Sequence, residues 1–122
     1  MKRLSKFLNL ERPKEKIRAM NQQIFKEIQT LKRQILPNEK VILFGSQARG
    51  DARPDSDWDL LVLLNKEKKT FEDEDIYGYP FAEMGLKYKT YISVKIYTEG
   101  DWKKRKPTPF YKNIEQDGIV IV

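Results

Sequence analysis

The sequence has no cysteine and no histidine among its 122 residues, and each absence removes a branch of chemistry. Without cysteine there is neither a disulfide nor a thiolate metal site. Without histidine there is no imidazole general base and no imidazole ligand. A metal would therefore have to sit on oxygen, which points to Mg2+, with Mn2+ as the alternative. Long apolar runs are missing too: none approaches the roughly 20 residues needed to span a bilayer, so no membrane partner is expected. The opening Met1-Lys2-Arg3-Leu4-Ser5-Lys6-Phe7 is basic, but no apolar core of a secretory signal follows it. These features together fit a cytoplasmic protein.

What is present is enough to fold. Hydrophobic residues make up 39% of the chain and charged residues 34%, so apolar runs survive between heavily solvated stretches. The length suits one core, and 1–122 is read as a single domain, with a basic helical segment at 1–40 and a sheet core at 41–122. The net charge of +6 is unevenly placed: +7 over residues 1–40, −3 over 41–100 and +2 over 101–122. A basic N-terminal helix can approach nucleic-acid phosphates through counterion release, and it can equally be a solvated helix face.

Ile17, Met20, Ile24, Ile28, Leu31 and Ile35 recur at steps of three and four, the apolar stripe of an amphipathic helix. Pro13 suits its first turn, and Pro37-Asn38 ends it. Val41-Ile42-Leu43-Phe44, stopped by Gly45, reads as a short buried strand. A turn-rich loop at 50–56 leads to a second apolar run, Leu60 to Leu64, with Asp57 and Asp59 at its mouth. A short helix is expected within 71–88, packing Ile76, Phe81 and Met84. Residues 91–97 alternate as a third strand. Pro109 to Asp117 suits a helix stopped by Gly118, before a terminal strand or packed tail. The fold class is thus α/β (α+β), a small mixed sheet with helices packed against it.

Two neighbouring segments carry chemistry. After the first strand, Gly45 allows a sharp turn and close approach of a ligand to the backbone. Ser46 offers a hydroxyl and an N–H, and a helical turn starting there would present unpaired N–H groups to a phosphate. Arg49, one turn on, could add a charge-assisted contact. Asp57 and Asp59, two apart, share one face of the second strand, and two carboxylates side by side call for a cation between them. A phosphate cradle beside an oxygen-ligand metal clamp suits phosphoryl or nucleotidyl transfer.

Gly-Ser-Gln-Ala-Arg-Gly at 45–50 followed by Ser-Asp-Trp-Asp-Leu at 56–60 resembles the signature of minimal prokaryotic nucleotidyltransferases of the polymerase-β superfamily, some of them antitoxin-like. The resemblance implies the polymerase-β-type fold, a nucleoside triphosphate such as ATP as substrate, Gly45, Ser46 and Arg49 as nucleotide-binding residues, and Asp57 and Asp59 as catalytic Mg2+ ligands. An acceptor hydroxyl would then take up a nucleoside monophosphate. It also implies that a small helical protein of the HEPN type could complete the site, in a toxin–antitoxin pair. Family enzymes usually place a third carboxylate on a later strand, yet 91–97 contains no acid. Glu99 and Asp101 follow that strand, and Lys95 would compete with a metal if it faced the aspartates. An inactive module that masks a partner is therefore the alternative function. Simpler roles are open for other residues: Arg53 as a structural partner of the acids, Trp58 as core, Lys103 to Lys106 as a solvated loop, and Tyr77, Tyr79, Tyr88 and Tyr91 as ordinary tyrosines rather than a base pocket.

Overall fold

The apolar stripe of the first helix meets the sheet its spacing calls for. The computed structural model describes residues 13–53 and 55–122, and in it α1 spans Pro13–Ile35. Ile24 and Ile28 are fully buried, with Met20, Leu31 and Ile35 packed at the margin. Residues 1–12 of the basic segment 1–40, and the Ile17 side chain, lie outside the described residues.

Four strands follow: β1 (Lys40–Phe44), β2 (Trp58–Leu64), β3 (Ile92–Thr98) and β4 (Ile119–Val120), in the spatial order β3-β2-β1-β4. β1 is antiparallel to both β2 and β4, whereas β2 and β3 run parallel, giving the expected mixed sheet. A short helix, α2 (Ser46–Arg49), follows β1. The parallel pair requires a crossover, and a π-helical turn at Glu74–Gly78 running into α3 (Tyr79–Lys87) supplies it. After β3 come α4 (Glu99–Lys103) and α5 (Pro109–Asp117).

Period-two alternation gives the sheet two apolar faces. Val41, Leu43, Trp58, Leu60, Val62, Ile92 and Ile96 pack with α1 and with Phe81 of α3. Ile42, Leu61 and Leu63 pack on the other side against Trp102 of α4 and Ile114 of α5. There Trp102 sits within an aromatic cluster, its ring 4.9 Å from that of Tyr111 and 5.7 Å from that of Phe110. Phe110 in turn meets Phe44 edge-on at 5.6 Å, which fixes the end of β1. The last residues form a short strand and then a packed tail: Ile121 is buried, and its N–H donates to the Val41 carbonyl at 2.8 Å.

The helix expected within 71–88 differs in one respect. Phe81 and Met84 pack inward, but Ile76 is 52% exposed. The π-helical turn holds more residues per turn than an α-helix, and this rotates Ile76 off the face that continues as α3. Ahead of that turn the buried Asp73 accepts from the Lys66 ammonium and from the Thr70 N–H, each at 2.7 Å. Burial alone would raise its pKa, but these two donors overcome that and hold it below the ordinary value. Asp73 is accordingly a structural acid.

The end of α3 carries a backbone feature that mutation can test. Lys89 adopts φ 53°, the left-handed region that L side chains avoid, while the Thr90 N–H returns to the Gly85 carbonyl at 3.1 Å. Such a conformation costs a non-glycine residue about 1–2 kcal/mol, partly offset in a Gly variant by its floppier unfolded chain. Lys89→Gly should therefore stabilise the fold by about 0.5–1 kcal/mol, read as a raised urea midpoint at constant m-value.

Candidate functional site

Strand direction concentrates the chemistry at one end of the sheet. β1 ends where β2 and β3 begin, so Gly45 to Arg49, Asp57 with Asp59, and Ser93 share that end. Gly45 has φ 76° and ψ −159°, a conformation almost exclusive to glycine. Its hydrogen stands where a Cβ would lie 2.4 Å from Asp59 Oδ2, so glycine is what lets the carboxylate rest against the backbone. α2 then starts at Ser46, as the sequence suggested. The Ala48 and Arg49 N–H groups both return to the Gly45 carbonyl at 3.1 Å, and Gly50, at φ 83°, closes the turn. A helix's first N–H groups have no partner within the helix, so those of Ser46 and Gln47 lie at its open end.

Asp59 pairs in register with Phe44 on one side and Ser93 on the other, and it is half-buried. Its pKa is raised, first by burial and then by the negative charge of Asp57, while Lys95 and Arg49 pull it back down. Asp57 stands one residue before β2 and is exposed. The two acids are thus close enough to repel, and the cations felt at Asp59 are Lys95 of β3 and Arg49 of α2. Arg49 is half-exposed and also pairs with Asp51 at 3.3 Å.

Comparison with known proteins decides the family. The model of the nucleotidyltransferase domain family matches residues 21–121, which include this whole arrangement. The chain belongs to that family. Two Methanocaldococcus jannaschii proteins, each named putative protein adenylyltransferase, are similar to it. One is 36% identical over 96 residues, covering 79% of this chain and 89% of its own; the other is 31% identical over 83 residues, covering 68% and 77%. Among solved structures, a putative nucleotidyltransferase from Sulfolobus solfataricus shares the fold with a TM-score of 0.57 at 22% identity, over 85% of this chain and 84% of that one. A toxin-antitoxin crystallised with AMP-PNP shares it with a TM-score of 0.54 at 16% identity, over 80% and 72%.

Within this nucleotidyltransferase domain, the residues singled out by sequence part company. Gly45, Ser46, Arg49, Asp57 and Asp59 come together. Glu99 and Asp101 do not. They follow Thr98, at the opposite end of β3 from Ser93, and seven residues of strand span about 20 Å. Asp101 instead faces Lys104 at 3.8 Å, and its N–H donates to Thr98 Oγ1. Trp58 is core, 3% exposed. Arg53 forms no ion pair among the described residues; its N–H donates to Ser56 Oγ at 2.7 Å, bracing the loop. Arg105, from the basic run, lies 5.3 Å above the Tyr97 ring, while Lys103, Lys104 and Lys106 are exposed.

The tyrosines do not gather into one pocket. Tyr88 donates to Glu27 of α1, and Tyr79 is 59% exposed. Tyr88 and Tyr91 do line a cavity of about 230 Å³ that also touches Asp55, Asp57, Trp58 and Lys89. That cavity went unnoticed in the sequence, because α1, the loop between α3 and β3 and the loop before β2 meet only through the tertiary fold.

The acid pair fits one hard divalent ion. No group of three or more acidic side chains positioned for a metal exists among the described residues. Mg2+, however, commonly takes one or two carboxylates and completes its shell with water and substrate phosphates. Asp57 and Asp59 match that donor set, and such an ion would relieve the Asp57 repulsion that adds to burial in raising the Asp59 pKa. No helix among the described residues is long and apolar enough to cross a membrane.

Proposed function

We propose that this chain transfers a nucleoside monophosphate, AMP by its similarity to the adenylyltransferases, from a nucleoside triphosphate to a hydroxyl acceptor. The observation that carries the reading is the junction of Gly45 with Asp59. A backbone stripped of its Cβ lies against one of two adjacent carboxylates, at the end of the sheet where α2 begins. In this reading Gly45 and Ser46 receive the phosphates, Arg49 adds positive charge, and Asp57 and Asp59 hold Mg2+. When bound, the ion would neutralise charge on the phosphates. The acceptor oxygen forms a bond to the α-phosphorus as the bond to the bridging oxygen of the β-phosphate breaks. Pyrophosphate leaves, and the acceptor proton passes to solvent. The protein's share is positioning and charge neutralisation.

Calorimetric titration of ATP, GTP, CTP and UTP, each with Mg2+, tests this directly. Binding that requires the metal and favours ATP is the expected result. A well-folded protein that binds none of the four would overturn the reading.

A second reading is favoured by one observation: β3 holds no acid, and Lys95 lies on the face it shares with Asp59. Here the domain masks a protein partner, as the likeness to a toxin-antitoxin and the expected HEPN-type helical protein suggest, without needing catalysis. It predicts that Asp57→Asn binds the partner as tightly as the wild type does in a pull-down with quantified Kd.

A further inference from the structure

A lysine is built into the sheet beside the acid pair. β2 and β3 are parallel and in register, with Asp59 opposite Ser93 and Leu61 opposite Lys95. Residues two apart on a strand share a face, so Asp59, Ser93 and Lys95 lie together, with Lys95 diagonal to Asp59. Lys95 and Asp57 are exposed while Asp59 and Ser93 are half-buried, so a ligand can reach all four. The lysine's charge is felt at Asp59, as is that of Arg49 from the β1 side. The acids therefore sit between a cation on each flank.

That arrangement acts differently on a bare metal and on a metal–nucleotide complex. A fixed ammonium repels a lone divalent ion approaching the aspartates. A nucleoside triphosphate carries more negative charge than one divalent ion cancels, so the same ammonium attracts the complex. With two carboxylates and a lysine, the site has donors for one ion and a fixed positive charge on its β3 side.

We propose that Lys95 is a phosphate-binding residue of the transfer site, its ammonium contacting the nucleotide phosphates from β3 while Asp57 and Asp59 hold a single divalent ion. This rests on the nucleotidyl-transfer reading above. It turns the residue that weakens the family pattern into part of the substrate site.

The test titrates Mn2+ alone, and separately ATP with Mg2+, into the full chain as wild type, Lys95→Met, Lys95→Arg and Lys95→Asp. Bound Mn2+ is counted by electron paramagnetic resonance, and urea midpoints confirm folding. Lys95→Met should bind Mn2+ alone about threefold to tenfold tighter and Mg-ATP about tenfold more weakly, opposite signs that a structural lysine would not produce. Lys95→Arg should keep the ATP affinity within about threefold. Lys95→Asp should take up a second Mn2+ in the presence of ATP. If Lys95→Met leaves both affinities unchanged, or weakens both, this proposal falls while the transfer reading stands. A wild type that binds no Mg-ATP removes the transfer reading, and this proposal with it.

Discussion

On the proposed transfer reaction, Asp57→Asn and Asp59→Asn should each yield a folded chain whose nucleotide transfer falls by about 10²–10⁴-fold, the loss expected when a metal's charge stabilisation of several kcal/mol is removed. The two variants differ in stability, and the difference identifies the site. Asp59 is half-buried, and its pKa is raised by burial and by the neighbouring Asp57 charge. A carboxylate with a raised pKa holds its proton more tightly in the folded chain than in the unfolded one. Its stabilising contribution is present below the unfolded pKa and is lost as pH rises through the folded value. At neutral pH the ionised Asp59 is therefore a burden, and Asp59→Asn should raise the urea midpoint at pH 7 while lowering transfer as above. The gain should shrink as pH falls toward the carboxylate range. A variant that lost activity by unfolding would show the opposite shift. Product formation by mass spectrometry, paired with urea melts at pH 7 and pH 4, separates the two.

Much of this was legible in the residues because local patterns carried it. The step pattern through Ile24 and Ile28, the glycine-stopped run at Val41 to Phe44, and the acids two apart at Asp57 and Asp59 each reflect a period or a turn within a dozen residues. What escaped depends on contacts far apart in sequence. The parallel pairing of β2 with β3 sets Lys95 beside Asp59 and sends Glu99 and Asp101 to the far end, and no local spacing encodes that register. Ile76 was misplaced because the π-helical turn Glu74–Gly78 shifts the helical phase, and although Gly78 and Pro80 mark a break there, neither says that the turn before them is wider than an α-helical one. The cavity against Asp57 needs α1, the loop between α3 and β3 and the loop before β2 together. The positive φ at Lys89 carries no compositional mark, since lysine is an ordinary residue in a turn.

Gly45→Ala should be the most damaging single-methyl change in the site. Two independent costs meet there. The backbone conformation at φ 76° and ψ −159° is one that L residues pay about 1–3 kcal/mol to adopt. The added Cβ would also lie 2.4 Å from Asp59 Oδ2 and 3.3 Å from Asp59 Cγ, so the carboxylate must swing away. Together the expected loss is about 2–4 kcal/mol, within the 5–15 kcal/mol that domains of this kind hold in reserve, so the variant still folds. Transfer should fall by about a hundredfold, because a displacement near 1 Å is enough to spoil a reacting geometry. Gly50→Ala is the control. Gly50 also has a positive φ, 83°, but nothing lies within 4 Å of its would-be Cβ. It should lose about 1–2 kcal/mol of stability from the left-handed conformation alone and keep most of its transfer activity. If both alanines cost the same in activity, backbone strain at the turn governs the site. If Gly45→Ala alone disables it, the contact between the Gly45 backbone and Asp59 does.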